Sequence, residues 1–138
     1  MMDGNPVLLV DDDAEIHEEL AEALEAEGYA VWHEATADGA LGTLREQPDI
    51  RIVLLDLRLP GEGGMHVLET LQRDFGDYHA VIIVTGHGSK ETAIEALRAG
   101  ATDFLEKPVN PKALFAALQR AEREIVATAG SGWVNPGD

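Results

Sequence analysis

The chain has 138 residues, 45% of them hydrophobic, which suits one domain with a real core. Ten basic against 26 acidic side chains leave a formal net charge of −16, which argues against direct nucleic-acid binding, because phosphate contacts need clustered Lys and Arg. There is no cysteine, so disulfides, thiolate zinc sites and cysteine nucleophiles are excluded. No apolar run has transmembrane length and no basic-then-apolar leader opens the chain, so a cytoplasmic protein without membrane contact is expected.

The first apolar run, Val7 to Val10, predicts a strand and leads into Asp11-Asp12-Asp13. Ile16, Leu20 and Leu24 then recur every fourth residue, the stripe of an amphipathic helix. Asp12 or Asp13 can cap it, and Gly28 is placed to end it. Its other faces carry Glu15, Glu18, Glu19, Glu22, Glu25 and Glu27, a solvated acidic surface. A second strand is expected from Ala30 to Glu34, and a short helix from Asp38 that closes before Pro48. The most apolar strand, Ile52 to Leu55, runs into Asp56. Pro60-Gly61 and Gly63-Gly64 read as a loop before a helix with Val67, Leu68 and Leu71 that ends near Gly76.

A fourth strand, Ala80 to Val84, runs into Thr85. Gly86-His87-Gly88-Ser89 reads as a flexible link, with Ser89 a candidate cap for a helix that carries Ala93, Ile94, Ala96 and Leu97 and stops at Gly100. Asp103 to Glu106 is the fifth strand and leads into Lys107-Pro108. Pro111 suits the first turn of a last helix, whose buried side is marked by Leu114, Phe115, Leu118 and Ile125. The stretch from Gly130 onward has linker composition.

Five strands alternating with helices imply an α/β sandwich around a parallel sheet, where ligands bind beyond the carboxyl ends of the strands. Asp11, Asp12, Asp56, Thr85 and Lys107 would then meet at one rim. Three carboxylates there would repel one another, and a divalent cation such as magnesium (or manganese) relieves that. Asp56 is a competent phosphoryl acceptor, and the Thr85 hydroxyl and Lys107 ammonium would meet the charge on the transferring oxygens. Taken singly, each residue has a plainer reading: a helix cap, a β-former, a turn. His17, His33, His66, His79 and His87 show no metal-ligand spacing and read as surface or packing residues, with His87 the exception to watch beside Thr85.

These motifs resemble the receiver domain of two-component response regulators. The resemblance rests on Val7-Leu8-Leu9-Val10-Asp11-Asp12-Asp13, Asp56-Leu57-Arg58-Leu59-Pro60-Gly61, Val84-Thr85-Gly86, and the run Gly100 to Val109 that contains Phe104 and Lys107-Pro108. It spans residues 6 to 127. Thr85-Gly86-His87-Gly88 together with Asp103 to Pro108 is most similar to the nitrogen-regulator and FixJ-like receivers. The resemblance implies a flavodoxin-like fold with strand order 2-1-3-4-5, and a phosphoacceptor domain over residues 1–127 followed by a flexible tail or interdomain linker over 128–138.

It further implies that Asp56 takes a phosphoryl group from a sensor histidine kinase, a phosphotransfer protein or a small phosphodonor. Asp12 and Asp56 would ligate magnesium directly, Asp11 through water, and the Arg58 carbonyl would be a further ligand. Thr85 and Lys107 would bind the phosphoryl oxygens. Thr85 and Phe104 would be the switch residues, and the Lys107–Pro108 peptide bond would be cis. Arg58, which could pair with Glu62, and His87 would tune the phosphoryl lifetime. The protein would not be an enzyme acting on other substrates; its only chemistry would be its own phosphoryl transfer and autodephosphorylation. Output would pass through the face of the fourth helix, fifth strand and fifth helix to a downstream protein or an attached output domain. That face, with Arg98, Glu106, Arg120 and Glu124, is also where a homodimer would form. The family often has Tyr where this chain has Phe104.

Two other classes compete with this reading. A constitutive interaction module on the same fold would be free to lose the acids, Thr85 and Lys107, and all are present. A haloacid-type phosphatase needs a second Asp two residues after its nucleophile, where this chain has Arg58, and a flavin site wants a Ser, Thr and Gly-rich loop where this chain has Asp11-Asp12-Asp13.

Overall fold

The computed structural model describes residues 5–61, 63–86 and 90–130. Expectations resting on Glu62, His87, Gly88, Ser89 and the stretch beyond Gly130, Trp133 included, lie outside the described residues. Five strands alternate with five helices: β1 (Val7–Val10), α1 (Ala14–Ala26), β2 (Val31–Glu34), α2 (Ala37–Glu46), β3 (Ile52–Leu55), α3 (Gly63–Phe75), β4 (Ala80–Thr85), α4 (Lys90–Arg98), β5 (Asp103–Glu106) and α5 (Pro111–Gly130). All strand pairings are parallel and the order is β2-β1-β3-β4-β5, as expected for a flavodoxin-like fold.

Alternation along the central strands divides the core in two. Leu8, Val10, Val53, Leu55, Val81 and Ile83 face α2 and α3. Val7, Leu9, Ile52, Leu54, Ile82 and Val84 face α1 and α5. Strands covered on both faces must be apolar throughout, which is why β1, β3 and β4 read as unbroken hydrophobic runs. The edge strand β2 is only partly covered, and Trp32 stands 42% exposed on it.

The helix ends follow local chemistry. Of the two candidate caps for α1, Asp13 does the work: its carboxylate accepts from the Glu15 N–H at 2.9 Å. Two boundaries differ from the sequence reading. Thr36, not Asp38, caps α2, its hydroxyl accepting from the Gly39 N–H at 3.0 Å. Gly63 and Gly64 form the first turn of α3 rather than a loop. Gly64 must be glycine there, because a Cβ would lie 2.3 Å from the Asp56 carbonyl oxygen and 2.6 Å from the Leu57 Cα. α5 runs to Gly130.

Candidate functional site

The carboxyl ends of β1, β3, β4 and β5 bring the expected residues to one rim. Backbone bonds carry the ladder one residue past the strands: Asp56 N–H donates to the Val10 carbonyl at 2.9 Å, and Lys107 N–H to the Thr85 carbonyl at 2.8 Å. Asp11 N–H likewise donates to the Glu34 carbonyl at 3.1 Å. The sheet itself therefore sets the spacing of the functional side chains. The Lys107–Pro108 peptide bond is cis, as expected.

Asp11 and Asp56 are buried, at 4% and 5% exposure, and Lys107 reaches between them. Its Nζ lies 2.7 Å from Asp11 Oδ2 and 3.2 Å from Asp56 Oδ2. The second oxygen of each acid is held by backbone: Asp11 Oδ1 accepts from Asp13 N–H and Asp56 Oδ1 from Arg58 N–H, both at 2.9 Å. Each carboxylate is thus fixed from two sides. Burial pulls the pKa of Lys107 down, but the two acids raise it by more, so it stays above the ordinary lysine value and the ammonium remains charged.

Thr85 is almost fully buried, and its hydroxyl has no partner among the described residues. A buried hydroxyl left unpaired costs about 1–3 kcal/mol, so Thr85 is held at a cost and can bond a group that reaches it. Asp12 is exposed at the mouth. One oxygen from each of Asp11, Asp12 and Asp56 lies within 4.8 Å of the others. This donor set is all oxygen and all hard, which suits magnesium or manganese and not a soft metal.

Phe104 is half-buried and packs against the core layer on the α2 and α3 side. Arg58 is exposed. On the expected output face, Arg120 pairs with Asp103 and Glu124 accepts from the Thr102 hydroxyl at 3.0 Å, so these charges are engaged within the chain. Ile94 and Leu97 of α4 are exposed.

Two features escaped the sequence reading. Gly64 lets the start of α3 rest on the Asp56 backbone, a close approach that leaves no periodic signal. His17, on α1, lies beside the pocket, and its ring is tilted at 52° to that of His33 with the ring centres 4.8 Å apart. Burial and His33 lower the pKa of His17, with Asp11 opposing. The two histidines are sixteen positions apart, so no local spacing could reveal the pair.

The family model for the response regulator receiver domain matches residues 7–119. The FixJ transcriptional regulatory protein of Azorhizobium caulinodans is 39% identical over 119 residues, covering 86% of this chain and 56% of its own length. The two-component response regulator PprB of Pseudomonas aeruginosa is 35% identical over 121 residues, covering 86% of this chain and 44% of its own. The chain spans about half the length of the curated relatives it matches. Among solved structures, NtrX from Brucella abortus superposes with a TM-score of 0.83 at 32% identity, over 91% of this chain and 28% of that one.

Proposed function

The chain belongs to the receiver domains of two-component response regulators, within the nitrogen-regulator and FixJ-like group, and from that premise we propose that Asp56 is its phosphoacceptor. A carboxylate oxygen of Asp56 forms a bond to phosphorus as the P–N bond of a kinase phosphohistidine breaks, and the departing imidazole takes up a proton. The observation that carries this reading is the shared ammonium: Lys107 bridges Asp11 and Asp56 at the rim where the Thr85 hydroxyl has no partner among the described residues.

Each residue has a separate task. Asp11, Asp12, Asp56 and the Arg58 carbonyl would hold magnesium or manganese, which when bound supplies positive charge to the carboxylates and the transferring oxygens. Lys107 releases its hold on Asp56 to meet a phosphoryl oxygen, and Thr85 donates its hydroxyl to another. Phe104 follows Thr85 inward, which changes the α4–β5–α5 surface and selects a state already weakly populated. Exposed Ile94 and Leu97 make that surface suited to protein contact, with a downstream protein, an output domain or a second copy. Arg58 guards the pocket against water and sets the phosphoryl lifetime. Residues 1–127 form the phosphoacceptor unit and 128–138 the connector.

A kinase or phosphotransfer protein would approach over the apolar groove of Ile16, Leu20, Ala23, Val109, Pro111 and Leu114, which adjoins Lys107 through Pro108. Intact mass after incubation with acetyl phosphate tests the acceptor. A magnesium-dependent phosphoryl adduct is expected on the wild type and none on Asp56→Asn. An adduct that survives the substitution would mean another acceptor, and no adduct from acetyl phosphate or a phosphorylated kinase would leave the constitutive module as the better reading.

A further inference from the structure

The groove between α1 and the start of α5 has two walls of unlike chemistry. One is α1, with Ile16, Glu19, Leu20 and Ala23. The other, Pro108, Val109, Pro111 and Leu114, is wholly apolar. Leu20 and Leu114 are buried, while Glu19, Pro108 and Pro111 are exposed. The volume of about 200 Å³ is below the roughly 300–1,000 Å³ of small-molecule pockets, so the groove suits one large side chain better than a cofactor.

Glu19 is the charged group of this lining. Glu15 and Glu22 stand one turn to either side of it on α1, and both are exposed. No Lys or Arg precedes Arg45 in the chain, so α1 and β2 hold none to offset these carboxylates. Of the cations that flank the opposite wall in sequence, Lys107 is engaged by Asp11 and Asp56, and Lys112 is exposed. An apolar slot rimmed on one side by a row of like charges is complementary to a helix with an apolar anchor and basic neighbours.

Resting on the reading that Asp56 takes its phosphoryl group from a protein phosphohistidine, we propose that the donor docks here through a basic amphipathic helix. One large apolar side chain enters the groove, and Lys or Arg residues a turn to either side pair with Glu15, Glu19 and Glu22. Glu19, at the groove wall, is the residue that discriminates between donors. The anchor supplies affinity; the carboxylates speed the encounter with a basic donor and repel an acidic one. Pro108 joins the groove to Lys107, so a helix seated there lies beside the phosphoacceptor pocket.

The test is phosphoryl transfer from one histidine phosphotransfer domain, prepared with either Lys or Glu at the exposed positions around its phosphohistidine. At low salt the Lys version should transfer to the wild-type chain at least about tenfold faster than the Glu version. High salt should close most of that gap. Glu19→Lys should narrow the gap, and Glu15→Lys, Glu19→Lys and Glu22→Lys combined should reverse it. Acetyl phosphate needs no docking surface and should modify these variants at the wild-type rate, which also shows that they fold. Ala23→Phe, which fills the groove, should slow transfer from the Lys version, with circular dichroism confirming its fold. Equal rates from the two versions, transfer from neither while acetyl phosphate still reacts, a preference that survives the triple substitution, or an unslowed Ala23→Phe would each overturn the proposal. No adduct from acetyl phosphate on the wild type would instead overturn the Asp56 reading.

Discussion

At the carboxyl ends of the strands two buried carboxylates share one ammonium; at the amino ends a buried histidine lies between aromatic rings, with neither nitrogen bonded among the described residues. His79 precedes β4, is 5% exposed, and meets Phe75 and Tyr78 edge-on at 5.1 Å each. Arg51 stacks over Tyr78 at 4.3 Å and donates from Nε to its carbonyl. The first end keeps its polar groups charged and paired, and leaves a hydroxyl without a partner among the described residues. The second keeps its histidine neutral and uses it as a flat packing surface. One end retains chemistry that can be redirected, while the other contributes to packing alone.

The sharpest way to break this contrast is to remove the shared charge. Lys107→Ala leaves two buried carboxylates without their cation, which should cost about 3 kcal/mol of stability, near the low end for a broken buried pair because the lysine is partly solvated. Urea unfolding measures it, and added magnesium should recover part of the loss. An unchanged midpoint would mean that solvent already screens the pair.

The amino end predicts a different signature, in pH rather than in metal. Burial, with the charge of Arg51, pushes His79 from 6.5 down to about 4. The unfolded chain therefore takes up the proton first. Stability from this group is full above about pH 6.5 and is lost as pH falls toward 4, by roughly 3 kcal/mol in all. His79→Leu should flatten that part of the stability curve, read by urea midpoints across the window. A slope that persists would assign the acid sensitivity elsewhere.

The smallest effect has the opposite sign. Thr85→Val removes a hydroxyl with no partner among the described residues, and should stabilise the fold by about 1 kcal/mol. The same change should impair the switch, read as loss of the phosphorylation-induced chemical-shift changes around Phe104. Stability that drops would show that the hydroxyl has a partner in solution.

The contrast also explains what could be read in advance. Asp11, Asp56 and Thr85 each end or follow an apolar run, Lys107 follows the short strand Asp103 to Glu106, and the parallel ladder brings such ends together, so the fold and the meeting of these residues were legible from pattern. His79 precedes an apolar run and was open to either a surface or a packing role. Its burial depends on Phe75 and Tyr78 closing over it, which periodicity does not encode. His17 and His33 showed no ligand spacing because their proximity is created by α1 crossing beside β2. Gly63 and Gly64 looked like loop residues for the same reason that makes Gly64 necessary: the absence of a side chain.

That necessity has a mechanical side. The backbone at the end of β3 and the start of α3 stand closer than any side chain would allow, so Asp56 rests on a rigid anvil. Across the pocket, a methyl group added at Gly86 would meet nothing within 4 Å among the described residues. A load placed on Asp56 therefore finds a hard wall on the α3 side.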